Sequence, residues 1–314
     1  MIRLAIQRVL ALIPLLLIVS VFTFSLTSLL PSDPVDLIIG EQGTREQHEM
    51  LRERMGLNDP IVTRYLKWLN RAMHGDLGTS FFNSVKVTDA VMQRLPVTLS
   101  LTAVSALIAI VVGLAMGIAA ALNPRSWIDR LATIGATFGQ AVPNFWFGIL
   151  LTAVFAVGLR WFPATGFTPL GESVWGWLRS VTLPAVALGL STSADIARQV
   201  RSSMVGVLQQ DYIRAARAQG LSPWRIVFKH ALKNALIPVV TVISFLITVL
   251  LGGALIIEQV FAINGLGTLA ITAVRRQDIP MIQGIVLVMV ALVVAVQLVT
   301  DLIYGYLNPK ARPS

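Results

Sequence analysis

The residues of this chain best suited to act on another molecule are not a catalytic set. They are a run of cations, a phenol and small side chains between positions 211 and 238, DYIRAARAQGLSPWRIVFKHALKNALIP. Arg214 and Arg217 can pair with carboxylates, Tyr212 offers an anchoring ring, and Ala215, Ala216, Ala218 and Gly220 permit close backbone approach. That is docking chemistry. Bond-making chemistry lacks its parts: there is no G-x-x-x-x-G-K-[ST] phosphate loop, no His or Cys cluster at metal spacing, and no nucleophile with a matching base and acid. His48, His74 and His230 lie far apart and read as solvated or capping residues. Any work against a gradient therefore requires another subunit to consume the fuel.

Two short helices are expected to position these groups. Asp211 can accept hydrogen bonds from the first turn of one helix, and Gly220 can end it in a left-handed conformation. Ser222 can cap the next, with Pro223 at its first position, where the missing N–H costs nothing. In that second helix Trp224, Val227, Phe228, Ala231, Leu232 and Ala235 follow i, i+3, i+4, i+7 spacing and predict a packed face. Arg225, Lys229 and Lys233 line another, solvated face.

The hairpin sits in a membrane protein. Hydrophobic residues make up 55% of the 314 positions and charged ones 13%, with the charges clustered so that long windows carry none. A charge at the bilayer midplane costs about 2.5 to 3.5 kcal/mol on insertion scales, and a spanning helix needs about 20 apolar residues. Five windows qualify: Val9 to Ser32, Val97 to Asn123, Leu131 to Leu159, Asn234 to Ile257 and Ile279 to Thr300. A sixth, Ser180 to Ala194, is short, and charge asymmetry argues for it. With that span and an inside N-terminus, the short inside segments hold Arg3, Arg8, Arg125, Arg130, Arg198, Arg201, the hairpin cations, Lys310 and Arg312. The short outside loops hold only Arg160, Arg179, Arg275 and Arg276. Six helices with both termini inside are expected. The first run exceeds a signal-peptide core and precedes no Ala-x-Ala site, so the first span is expected to remain in the mature chain.

This divides the chain into an inner end with the first helix (1–30), an outside segment (31–94), a core transmembrane domain (95–306) carrying the 211–238 hairpin, and an inner tail (307–314). The outside segment reads as helical around Arg45 to Met55 and Ile61 to Met73, separated by Gly56, Asn58 and Pro60. It is too small for a large core of its own. The chain has no Cys, so no disulfide staples it. The net charge of +9 sits mostly beside apolar spans, where topology and anionic lipid account for it, and no nucleic-acid partner is expected.

Polar residues within apolar spans mark either a cavity or a helix–helix hydrogen bond, and spacing does not decide between them. Gln140, Asn144, Thr152, Ser244 and Thr248 are such residues, and Pro143 can loosen the third span and free a carbonyl. Gly113 and Gly117, four apart, predict tight helix packing. Glu258, Asp195 and Asp301 lie near span ends and are expected to be reached by water.

The hairpin resembles the EAA loop of membrane subunits of ATP-binding cassette importers, and Ala197 to Pro238 resembles the dipeptide, oligopeptide and nickel permease family. Three motifs agree: GDLGTS at Gly75–Ser80, RLPVTL at Arg94–Leu99, and EQVF at Glu258–Phe261 followed by Gly265-Leu266-Gly267. They cover nearly the whole chain in family order. Arg214 stands before Ala215 and Ala216 where many relatives have Glu, which puts that acidic contact in doubt and leaves Gly220 in place.

The resemblance implies an all-α type I importer transmembrane domain in a bacterial cytoplasmic membrane. It implies a non-enzymatic permease for di- or oligopeptides, or for nickel chelates, that binds no cofactor itself. ATP and Mg would be used by two cytoplasmic ATPase subunits, beside a second membrane subunit, an extracytoplasmic binding protein and membrane lipid. Tyr212, Arg214, Ala215, Ala216, Arg217 and Gly220 would then couple to the ATPase, and Gln140, Asn144, Ser244 and Thr248 would line the path. Asp76, Thr79 and Ser80 would meet the binding protein. An autonomous channel or secondary carrier is the rival class, but the chain shows no inverted repeat and no strong buried carboxylate relay.

Overall fold

The computed structural model describes residues 13–25, 35, 39–40, 43–54 and 56–307. The first expected span lies only partly within these, and Arg3, Arg8, Lys310 and Arg312 lie outside them. The described chain is helical. Its elements are α1 (Ile13–Ser25), α2 (Arg45–Arg54), α3 (Ile61–Met73), α4 (Val87–Leu122), α5 (Trp127–Ala141), α6 (Asn144–Leu151) and α7 (Val174–Leu208). There follow α8 (Asp211–Ala218), α9 (Pro223–Val260), α10 (Leu266–Arg275) and α11 (Ile279–Leu307). Among the described residues, α4, α7, α9 and α11 are long and apolar enough to cross a membrane, and α5 with α6 adds a fifth candidate if the bent pair is one span.

The chain forms two compact units. One holds 97–264 with the end of α11, and its core runs along α7. That helix explains why its span looked short in sequence. It is 35 residues long, and 72% of its most apolar window is buried inside the protein. A helix shielded from lipid can carry polar side chains. The hydroxyls of Ser191 and Thr192 bond back to the Leu188 carbonyl, and that of Ser193 to the Leu190 carbonyl, so each donor is satisfied within the helix.

α4 crosses α7 at small residues. A methyl group on Gly117 would lie 2.6 Å from Val200 Cβ and 2.7 Å from the Ala197 carbonyl, and one on Gly113 would lie 2.6 Å from Ile196 Cβ. The tight packing expected of this glycine pair is present. At the bend between α5 and α6 the two helices meet at 101°, and Pro143 stands in extended conformation at the joint. The helix breaks at Pro143, as the absent proline N–H and its effect on the preceding residue dictate.

The second unit holds the described residues up to Pro96 together with 265–294. Phe24 on α1 packs against Tyr65 and Trp68 on α3 with ring centroids 5.5 and 6.0 Å away, and the Ser20 and Tyr65 hydroxyls are 2.8 Å apart. Leu77, Val87, Leu266, Met281 and Ile285 form its second cluster.

Candidate functional site: the basic hairpin

The first hairpin helix ends as its residues foretold. Gly220 has φ +78°, its N–H donates to the Arg217 carbonyl, and the Leu221 N–H donates to the Ala216 carbonyl. This is the Schellman pair of bonds, and it turns the chain out of α8 with the Ala216 and Arg217 carbonyls paired. Its N-terminus differs from expectation. Gln210 is the cap residue and makes no side-chain cap bond, while Asp211 lies in the first turn, where its charge suits the helix dipole. Ser222 likewise caps α9 without a side-chain bond, although Pro223 takes the first helical position.

The faces of α8 sort by residue type. Ile213 and Ala216 are buried in a cluster with Ile226, Val227, Ala231 and Ala235. Tyr212, Arg214, Ala215, Arg217, Ala218 and Gly220 are exposed. Ala216 therefore packs on its own hairpin, where its small side chain lets α8 lie close to α9. The Tyr212 hydroxyl accepts from Asn234 Nδ2 at 2.8 Å, fixing α8 to α9. Arg214 and Asp211 form a 3.4 Å pair in open solvent, worth little. Arg217 has no ion-pair partner among the described residues, so the outward face of α8 is a cationic surface with small residues between the charges.

The second hairpin helix is not separate. It is the first part of α9, and Ile226–Ala231 winds as a π-helical turn before the α-helix resumes. The i→i+5 bonds of that turn accommodate an extra residue and shift the helical phase. Val227, Ala231 and Ala235 stay on the buried face as their spacing predicts, but Trp224 is 72% and Phe228 40% exposed. Those two rings touch in a tilted arrangement, with centroids 4.0 Å apart and planes 37° apart.

The residues expected along a path are scattered among local bonds. Ser244 is buried and donates to Gln297 Oε1 at 3.4 Å, and the Thr248 hydroxyl donates to the Ser244 carbonyl at the same distance. The Thr152 hydroxyl bonds the Gly148 carbonyl at 2.9 Å. Asn144 is half-buried at the first position of α6, and Gln140 belongs to α5, its side chain outside the described ones. At the Gly75–Ser80 turn, Asp76 and Thr79 are exposed, with Asp76 Oδ1 accepting from the Gly78 N–H at 2.9 Å. Ser80 is buried, its hydroxyl donating to Asp278. It holds the turn from within.

Besides Asp278, two further buried carboxylates were not legible as such in the sequence. Glu258, expected near water, is fully buried on α9, and the Thr98 hydroxyl donates to its Oε1 at 2.6 Å. Asp129, at the start of α5, takes both Nε and Nη2 of Arg201 on α7, the latter at 2.8 Å, along with the Arg125 N–H at 3.0 Å. The partners stand 160 and 72 residues apart in sequence, so no local spacing announces them.

Comparison with known proteins agrees with this architecture. Over 312 residues the chain is 42% identical to a putative peptide transport system permease protein of Brucella abortus, covering 99% of both chains. It is 37% identical to the oligopeptide transport system permease protein AppB of Bacillus subtilis, over 97% of this chain and 98% of the relative. It is 38% identical to the glutathione transport system permease protein GsiC of Escherichia coli, over 99% of each. Among solved structures, a chain of the inward-facing MetNI methionine ABC transporter superposes with a TM-score of 0.56 at 20% identity, covering 69% of this chain and 96% of its own, and so shares the fold. A model of the N-terminal part of binding-protein-dependent transport membrane components matches residues 1–102. The model described as "Binding-protein-dependent transport system inner membrane component" matches residues 109–313, and the chain belongs to that family of multi-pass ABC transporter permease subunits.

Proposed function

We propose that this chain is one half of the translocation path of an ATP-driven importer for di- or oligopeptides, and that α8 is the element on which a cytoplasmic ATPase subunit acts. The observation that carries the reading is the sorting of α8: Ile213 and Ala216 rooted in the permease core, Tyr212, Arg214, Arg217 and Gly220 turned outward. A second membrane subunit, two ATPase subunits using ATP and Mg, and an extracytoplasmic binding protein complete the complex. Six spans, with both termini and the hairpin on the cytoplasmic side, fit the charge asymmetry. In this scheme residues 31–94 form the extracytoplasmic segment, 95–306 the core and 307–314 the inner tail. The exposed Asp76 and Thr79 belong to the landing surface for the binding protein, with Ser80 bracing it. Peptide cargo is favoured over a nickel chelate because the relatives described above are named for peptides, oligopeptides and glutathione.

The absence of Cys gives a clean test. Ala215→Cys in the assembled complex should react with a membrane-impermeant maleimide only from the cytoplasmic side, and binding of the ATPase subunits should protect it. Arg214→Glu with Arg217→Glu should abolish peptide-stimulated ATPase activity in reconstituted vesicles while membrane insertion persists. Full peptide uptake by that double variant, or labelling from outside, refutes the assignment.

A further inference from the structure

The coupling face of α8 does not account for the aromatic pair at the base of α9. Trp224 is 72% exposed and Phe228 40% exposed, and the two rings lie against each other, tilted, with centroids 4.0 Å apart. They occupy the first turns of a helix that continues as an apolar segment long enough to cross a membrane. On the adjoining stripe, at i, i+4 and i+8, stand Arg225, Lys229 and Lys233, all exposed and without an ion-pair partner among the described residues. No Asp or Glu occurs between Asp211 and Glu258 in the sequence.

We propose that Trp224 and Phe228, with Arg225, Lys229 and Lys233, form an anchor for anionic phospholipid at the membrane boundary of α9. Three observations converge on lipid as the occupant. Tryptophan rings favour the bilayer interface, where the indole body sits among chains and its N–H reaches headgroups. Three cations free of protein carboxylates complement phosphate-bearing headgroups, and lysine and arginine stems can lie along apolar surface with their heads raised. The anchor is also continuous with a span that itself crosses the bilayer, so no folding or docking step is needed to bring it there. The π-helical turn at Ile226–Ala231 is what makes the surface: the phase shift carries both rings away from the buried line of Val227, Ala231 and Ala235.

The membrane side of this surface rests on the topology proposed above, and its test does not. The full chain in nanodiscs of phosphatidylcholine with spin-labelled phosphatidylglycerol or spin-labelled phosphatidylcholine reports the preference for anionic lipid at the protein surface. Each cation near such a surface adds roughly fivefold. Arg225→Gln, Lys229→Gln and Lys233→Gln together should lower the preference at least about fivefold, while Arg225→Lys, Lys229→Arg and Lys233→Arg together should keep it. In parallel, lipids brominated near the headgroup should quench wild-type fluorescence more than that of Trp224→Phe. The proposal is overturned by an unchanged preference in the neutralised variant, or by equal quenching in wild type and Trp224→Phe. It is also overturned if added ATPase subunits, rather than lipid, shield Trp224 from an aqueous quencher. Coupled ATPase activity reads the hairpin assignment separately, so the two can fail independently.

Discussion

Replacing Gly117 with Ala should loosen the crossing of α4 and α7 in a way that no neighbouring truncation repairs. The added methyl would stand 2.6 Å from Val200 Cβ and 2.7 Å from the Ala197 carbonyl oxygen, whereas carbon atoms settle at about 3.5 to 4.0 Å. The helices must part by about 1 Å, and overpacking of this kind typically costs about 1 to 3 kcal/mol. Gly113→Ala meets Ile196 Cβ at 2.6 Å and the Ser193 carbonyl at 2.9 Å, one helical turn away on the same seam. One separation relieves both clashes, so the double variant should lose less than the sum of the singles. Trimming the partner should not rescue Gly117→Ala: Val200→Ala keeps its Cβ, and the Ala197 carbonyl belongs to the backbone. Thermal unfolding of the purified chain in mild detergent reads these differences, with each single variant losing several degrees of Tm. Wild-type Tm for Gly117→Ala, or restoration by Val200→Ala, would refute the close approach.

Three further outcomes are expected. Gly220→Ala meets nothing within 4 Å and should cost only the left-handed strain, roughly 1 kcal/mol, leaving coupled transport measurable, whereas Gly220→Pro fixes φ at the wrong sign, removes the bond to Arg217 and should abolish binding-protein-stimulated ATPase activity. Arg201→Ala leaves the Asp129 carboxylate with the Arg125 N–H alone and should lower the Tm of the purified chain; Asp129→Asn with Arg201→Ala should recover part of that loss in a double-mutant cycle. Ser80→Ala removes the hydroxyl that links Asp278 to the turn, and should raise protease cleavage near Thr79 while Thr79→Ala does not.

What could be read in the sequence was whatever is decided locally. Gly220 ends α8 because a left-handed residue is a property of one position, and Pro223 opens α9 for the same kind of reason. The Gly113–Gly117 spacing likewise projects two small residues onto one face without knowledge of the partner. Where the surroundings decide, the reading fell short. Ser180 to Ala194 looked too short because hydropathy measures suitability for lipid, and α7 is enclosed mostly by protein. A spacing of 3.6 residues per turn puts Trp224 and Phe228 on the packed face, but the segment winds as a π turn and carries them out of it. Glu258 looked solvated near a span end, yet Thr98, brought in by another helix, lies against it in a fully buried position. Ser244, Thr248 and Thr152, polar residues of apolar helices, make hydroxyl bonds within the protein, and spacing alone does not specify those partners.

The sharing of one apolar cluster by α8 and the first half of α9 has a mechanical consequence. Ile213 and Ala216 interlock with Ile226, Val227, Ala231 and Ala235, and the Tyr212–Asn234 bond clamps the open side. A joint filled this way has almost no compliance, because packed interiors resist compression. Displacement applied to the outer surface of α8 would thus reach the span without slack. A hairpin tethered only by its loop would dissipate the same motion as local wobble.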